Sequence, residues 1–324
     1  MHENLSSLAI YSDHEVKALS PSIDAIGAMR KMFASLANGT ALQPPQQQIG
    51  LANGGDFINY LGVLNEEQVY GLKTSPYIPT QNKPIVTAWT MLMSSKSGLP
   101  IMLTDAGYLT IQRTAATTAL AVEHLAKKDA KRLAIIGTGP IALAHLKYAR
   151  SLREWERISI FSPNLGAMDE ASRQEIERLD ERVLLCELQS KALVKADVIL
   201  LCTSSAKPVI ELSQLGNTAL ITSISTNAPK AHEVSPSDLK KMDVYCDYRK
   251  TTPDTAGEMI IARENSQWNA SMLAGDLCEL VLGKAKLPDY KRNVFFRSVG
   301  LGLEDVAIAM ELYSLHQQQA ASAT

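Results

Sequence analysis

The most restrictive stretch of the chain is Leu133-Ala-Ile-Ile136, followed at once by Gly137-Thr-Gly139-Pro-Ile-Ala142. An apolar run ends on a G-x-G-x-x-A turn and passes into a helix-like segment over 141–152. This predicts strand, tight turn and helix in direct succession. The first glycine makes the turn, the second lets the backbone approach a ligand, and the small Ala142 lets helix and strand pack closely. The helix start then offers free N–H groups and a positive dipole end to an anion. Gly137, Thr138, Gly139, Pro140, Ile141 and Ala142 are therefore candidates for gripping the pyrophosphate of a dinucleotide.

The residues beyond this turn support that context. Ile158–Phe161, Val183–Cys186, Val198–Cys202, Ala219–Ile224 and Val244–Cys246 are short apolar runs separated by helical or polar stretches. Strands alternating with helices predict βαβ units and a parallel sheet. The second run ends Phe161-Ser162-Pro163-Asn164, where an NAD-binding fold places an acid for the ribose hydroxyls. Ser162 and Asn164 can hydrogen-bond a hydroxyl or a phosphate, and no acid is present to repel a 2′-phosphate. The turn leans to NADP over NAD.

The first third of the chain has another rhythm. Ser20-Pro21 reads as the start of a helix carrying Ile26, Met29, Phe33 and Leu36 and ending at Gly39. Phe57–Leu61, Val69–Leu72 and Ile85–Leu92, separated by Gly, Pro and Asn, predict a mostly antiparallel sheet. A helix rich in small residues is expected from Thr110, as cap, to Lys127. The fold class is therefore α/β: a Rossmann-type doubly wound parallel sheet over 119–301, plus an α+β substrate and dimerisation domain over 1–118 that the last helix, 302–324, rejoins.

Composition narrows the function classes. The 324 residues carry 32 basic and 34 acidic side chains, which gives no electrostatic footprint for nucleic acid or an anionic membrane. No apolar run is long enough to span a bilayer, and no signal peptide is visible. Cys186, Cys202, Cys246 and Cys278 form no CxxC and no zinc-type spacing. They read as reduced thiols in a cytoplasmic protein, with no metal site.

Two cations stand out. Arg113, placed in the first turn of the helix from Thr110, opposes the dipole there. Either it pairs with a local acid such as Asp105, or it holds its fork out to a ligand carboxylate or phosphate. Lys73 follows an apolar strand and by itself reads as a surface lysine.

Together these pieces resemble the ornithine cyclodeaminase/μ-crystallin family over about 20–315. Leu109-Thr-Ile-Gln-Arg-Thr-Ala-Ala116 resembles its L-T-x-x-R-T-A-A segment. Ala274–Gly283 resembles its G-(E/D)-L segment, and Phe296–Asp305 its S-V-G-x-x-x-(E/D)-D segment. The resemblance implies a homodimer paired through the N-terminal sheet, with the active site between the domains. It implies that Lys73 and Arg113 are catalytic and meet the substrate, Arg113 near the cofactor. Thr114, Thr203 and Ser298 would adjoin the dinucleotide, and Val299 the substrate.

Two departures shape the expected reaction. Where many members carry a P-x-R arginine, this chain has Pro44-Pro-Gln-Gln-Gln48, so Gln47 is the expected, uncharged counterpart. Where cyclodeaminases carry an aspartate, Ser225–Glu233 presents Asn227, also a substrate-binding candidate. Asn cannot relay protons as the full cyclodeaminase cycle requires. His232 is a weak substitute. The expectation is NAD(P)H-dependent reduction of a small cyclic ketimine carboxylate: Δ1-pyrroline-2-carboxylate to L-proline, or Δ1-piperideine-2-carboxylate to L-pipecolate. The alternatives are an ornithine cyclodeaminase, an open-chain amino-acid or opine-type dehydrogenase, and a non-catalytic dinucleotide binder.

Overall fold

The computed structural model describes residues 8–225 and 230–322. The chain divides into two compact units, residues 1–113 with 300–324, and residues 114–299. No helix among the described residues is long and apolar enough to cross a membrane.

The first unit is built on a sheet of β1 (Ala9–Tyr11), β2 (Ala41–Leu42), β3 (Gln47–Gly50), β4 (Asp56–Leu64), β5 (Val69–Ile78), β6 (Ile85–Val86), β7 (Trp89–Ser94) and β8 (Pro100–Asp105). The order is β1-β8-β7-β5-β4-β2, with β3 on β4 and β6 on β5. All pairings are antiparallel except β1 with β8. The run Ile85–Leu92 breaks at Thr87-Ala88, so it supplies two strands.

Alternation along β4 and β5 divides the sheet into two faces. One face is covered by the helices Ala25–Ala37 and Gly302–Ser322. On it, Gly62 lies opposite Gly71. A Cβ on Gly62 would stand 2.8 Å from Leu303 Cα, and one on Gly71 2.4 Å from Val306 Cγ2. This pair of missing side chains lets the C-terminal helix lie directly on the sheet.

Two helix starts differ from the sequence reading. Ser20-Pro21-Ser22 forms a separate 3-10 turn, and the helix Ala25–Ala37 is capped by Asp24, whose side chain accepts from Gly27 N. The next helix runs Gly107–Leu125. Thr110 is inside it and donates its hydroxyl to Ala106 O at 2.7 Å. Arg113 is thus in the second turn, beyond reach of the terminal dipole argument.

The second unit is a wholly parallel sheet: β9 (Arg132–Ile136), β10 (Arg157–Phe161), β11 (Val183–Leu185), β12 (Val198–Leu201), β13 (Leu220–Ser223), β14 (Met242–Cys246), β15 (Leu273–Asp276) and β16 (Asn293–Arg297). Its order is β11-β10-β9-β12-β13-β16-β14-β15. The β9–β10 and β9–β12 pairings create a switch point, where the connections diverge to either side of β9. The last two strands in sequence escaped the sequence reading: Leu-Ala-Gly-Asp is short and broken by glycine, and Asn293–Arg297 merges into a motif. β16 inserts between β13 and β14 and is almost entirely buried.

Gly62→Val should force the C-terminal helix off the sheet at a cost of about 1–3 kcal/mol, typical of overpacking. A drop in the urea midpoint checks this, and an unchanged midpoint would show that the helix does not rest there.

Candidate active site

The first unit buries a charged cluster. Lys73 on β5 lies directly opposite Tyr60 on β4 and Thr90 on β7, so all three side chains point to the helix-covered face. Lys73 Nζ is 2.8 Å from Asp305 Oδ2, and lies 4.3 Å from the Tyr60 ring centroid. It also reaches Thr110 Oγ1 at 3.5 Å. Arg113 donates from Nε to Asp305 Oδ1 at 2.9 Å and from Nη1 to Glu304 Oε2 at 3.0 Å. Its partners are therefore the acids that open the C-terminal helix, and not Asp105. Gly300 (φ +79°) makes room: a Cβ there would meet Arg113 Nη1 at 2.3 Å.

Burial dominates the electrostatics. It pushes Lys73 down to about 8, against the attraction of Asp305. Burial also opposes the charge on Arg113, but Asp305 and Glu304 more than offset it and hold the guanidinium above its ordinary range. Burial, and then Asp305, pushes the Tyr60 phenol up to about 12. The cluster is a charged anchor with one group, Lys73, able to exchange a proton near neutral pH.

Gln47 does not join it. Gln47 pairs with Asn59, which alternates with Tyr60, so it points to the face opposite Lys73 and is exposed. Gln48 is the residue on the Lys73 face, level with Ile58 and Ser75, and it donates to Asp56 Oδ2 at 2.6 Å. Within a run of glutamines, a one-residue register choice decides the face.

In the second unit a cleft of about 930 Å³ opens at the carboxyl ends of β9, β10 and β12. It is lined by Gly137, Thr138, Gly139, Ile141, Ser162 and Asn164 on one side and by Thr203 and Ser225 on the other. Gly137 (φ +131°) is required, because a Cβ would fall 2.4 Å from Cys202 O. Gly139 caps the helix Pro140–Ala149 with open space where a Cβ would be, so its backbone is bare to the cleft. Ala142 is buried beneath the turn. These features fit a dinucleotide pyrophosphate against a helix N-terminus. Ser162 is buried, and its hydroxyl accepts from Asn164 N at 3.3 Å.

Thr114 is buried in the helix beside Arg113, as the first residue of the second unit. Ser298 and Val299 are held by the buried Asp247, whose Oδ2 accepts from Ser298 Oγ at 3.2 Å and Val299 N at 2.7 Å. His232 Nδ1 donates to Lys230 O at 2.7 Å. Asn227 lies outside the described residues. No cluster of His, Cys, Asp or Glu suited to a metal occurs among the described residues. The four cysteines are free and buried.

The model of the ornithine cyclodeaminase/mu-crystallin family matches residues 7–319. The chain belongs to this family. It is 54% identical over 309 residues to the NAD(P)H-dependent anabolic L-arginine dehydrogenase DauB of Pseudomonas aeruginosa, covering 95% of this chain and 97% of that protein. Its fold matches the Thermococcus litoralis Δ1-pyrroline-2-carboxylate reductase in complex with NADH and L-proline. There the TM-score is 0.86 at 23% identity, over 96% of this chain and 98% of the other. An archaeal alanine dehydrogenase dimer with bound NAD gives a TM-score of 0.85 at 23% identity, over 97% of each chain.

Sequence reasoning missed Glu304, Asp305, Tyr60 and Asp247. The acids stood in the Ser298–Asp305 motif but carried no assigned partner. Only the closure of the C-terminal helix onto the sheet shows whom they neutralise. Asp305→Asn removes the attraction that favours the ammonium, so Lys73 should titrate below about 8 in that variant. NMR titration of isotope-labelled lysine checks this, and an unmoved Lys73 would disconnect the pair. Breaking the buried pair should also cost about 3–5 kcal/mol of stability.

Proposed function

We propose that this family member is an NAD(P)H-dependent oxidoreductase that forms an amino acid by hydride addition to the Cα of a 2-imino acid. The leading pair is 2-oxo-5-guanidinovalerate, with ammonia, and L-arginine. The observation that carries this reading is the buried Lys73–Asp305–Arg113 cluster on a sheet face that also presents Asp56. The 54% identity to an L-arginine dehydrogenase supports the choice of substrate.

The chemistry balances in two steps. The oxo acid and ammonia condense to the imino acid with loss of water, and the protonated imine then accepts a hydride at Cα. Bound NAD(P)H supplies that hydride. Arg113 and Lys73 hold the substrate carboxylate, a task suited to a guanidinium and an ammonium fixed by two acids. Lys73, near 8, provides the proton that keeps the imine nitrogen cationic. Asp56 lies on the same face as Tyr60, four residues along β4, or about 13 Å at strand rise. At that distance its carboxylate meets the far end of an extended substrate and selects a cationic terminus. A neutral 2-oxo acid has nothing to offer it.

The ring-imine reading remains as a second one. Reduction of Δ1-pyrroline-2-carboxylate uses the same hydride acceptor with the nitrogen already tethered. The fold match to a reductase holding NADH and L-proline favours it. The relative at 54% identity and Asp56 support the open-chain substrate as the leading reading. On the cofactor, Ser162 and Asn164 favour NADPH, with NADH also accepted. Four buried free thiols support a reducing, cytoplasmic setting.

A second copy of the chain completes the first unit. Leu61, Leu72, Met91, Leu103 and Ile10 form one row across five strands on the face away from the helices. An antiparallel sheet open to water would be polar there. Ile10 is instead 61% exposed, and the other four are half-buried. This face is assigned to a homodimer interface.

Oxidation of NADH and NADPH, followed at the nicotinamide absorbance, tests the function. 2-Oxo-5-guanidinovalerate plus ammonia should be reduced fastest, ahead of Δ1-pyrroline-2-carboxylate and of pyruvate plus ammonia. Faster turnover of the ring imine would install the second reading, and ammonia released from ornithine would install the cyclodeaminase. Asp56→Asn should cut kcat/KM for the guanidino substrate by about tenfold or more, the worth of one charge-assisted hydrogen bond. It should spare pyruvate. Above about pH 8 Lys73 loses its proton, so kcat/KM for reduction should fall about tenfold per pH unit. Lys73→Ala should be slow at every pH and lack that limb. Leu72→Glu should yield monomers in sedimentation, and a native-like dimer would move the interface elsewhere.

A further inference from the structure

Behind the cleft, the second unit buries a carboxylate that the hydride chemistry does not use. Glu233 is fully buried. Its Oε1 accepts from Thr203 N at 2.9 Å and Thr203 Oγ1 at 2.7 Å. Its Oε2 accepts from Ser223 Oγ at 2.7 Å, Ile224 N at 3.2 Å and Ser225 N at 3.1 Å. Thr203 follows β12, Ser225 follows β13, and both line the cleft. The ladder between these strands ends at Leu201 and Ser223. Past that pair the Glu233 carboxylate takes over as the tie between the two chain segments.

The tie is braced from both sides. Ser225 Oγ donates to Ala231 O at 3.2 Å and accepts from Arg297 Nη2 at 2.6 Å. Arg297 Nε is 2.9 Å from Glu258 Oε1, also fully buried. On the other side, Cys202 O sits against the Gly137 turn, where even one added carbon would collide with it. A shift of residues 202–203 therefore moves the wall on which the phosphate-binding turn rests.

We propose that Glu233 is a positioning residue for dinucleotide binding: acting through Thr203 and Ser225, it sets the width of the cleft. This rests on the reading of the cleft as the NAD(P) site. The chemistry explains the residue type. An ionised carboxylate only accepts hydrogen bonds, and all five described donors point at it. Glutamine has the same shape but turns an NH₂ group toward one set of those donors.

The test uses the full chain and the binding of NADH and NADPH by nicotinamide fluorescence, beside steady-state kinetics. Glu233→Gln should raise both dissociation constants by about tenfold or more, as expected for the loss of hydrogen bonds to a charged group. Its kcat at saturating cofactor should stay within about threefold. Met259 lies in the core of the same unit and does not line the cleft, so Met259→Ala hollows that core without touching the cleft wall. It should lower Tm comparably while leaving both dissociation constants within about twofold. If Glu233→Gln does not fold, Thr203→Val and Ser225→Ala carry the test, each expected to weaken binding by about threefold or more. Native-like binding by the glutamine variant overturns the proposal, and so does equal weakening by Met259→Ala. Failure of the native protein to bind either nucleotide overturns the reading of the cleft, and this inference with it.

Discussion

Two cations and two acids, buried together, govern the first unit. Lys73 and Arg113 could not be left inside a folded protein unpaired, because desolvation would neutralise or expel them. Asp305 joins them by offering one oxygen to each, and Glu304 takes the remaining charge of Arg113. The demands on the backbone stem from this pairing. The C-terminal helix must come close enough to deliver its first-turn acids, so β4 and β5 lose their side chains at Gly62 and Gly71. The segment entering that helix must pass the guanidinium, so Gly300 has none either. A well-packed apolar cluster would be at least as stable. On the function proposed above, a preformed anchor for the substrate carboxylate is the return on the desolvation cost.

The division of labour between the units mirrors the chemistry. The second unit supplies what any nicotinamide enzyme needs: a bare backbone turn, a helix end and a switch point. The first unit supplies the buried charged cluster and, on the same sheet face, Asp56. On the function proposed above, Lys73 and Arg113 address the part every 2-imino acid has in common, and Asp56 addresses the variable end. Selectivity across such a family can therefore shift by changes along one strand face while the reducing machinery stays as it is.

Legibility in the sequence tracked the range of the interactions. The Gly137–Ala142 turn was readable because strand, turn and helix are local and each glycine has a local reason. The parallel sheet was readable from its alternation, except for its last two strands in sequence, which are short or merge into motifs. Arg113 and Lys73 stood out as residues, but their partners did not. Asp305 is distant in sequence, and only helix-on-sheet packing reveals it. Gln47 shows how register is set from a distance. Among consecutive glutamines nothing local fixes register, and pairing with β4 turns Gln48, not Gln47, toward Lys73. Glu233 stood in view within a motif, yet its role depends on strand ends brought together only by the sheet.

The order of synthesis gives the Asp305 pairing one further meaning. The sheet that carries Lys73 and the helix that carries Arg113 leave the ribosome long before residues 304 and 305 exist. Until then both cations lack the charges that make their burial tolerable, so that face of the sheet stays wet and uncovered. The second unit holds its whole strand set between residues 114 and 299. The second unit's sheet closes when β16 (Asn293–Arg297) inserts between β13 and β14, just ahead of those acids in the chain. The first unit is sealed only when the final helix arrives, and a polypeptide cut short before those acids cannot assemble the Lys73–Arg113 cluster at all.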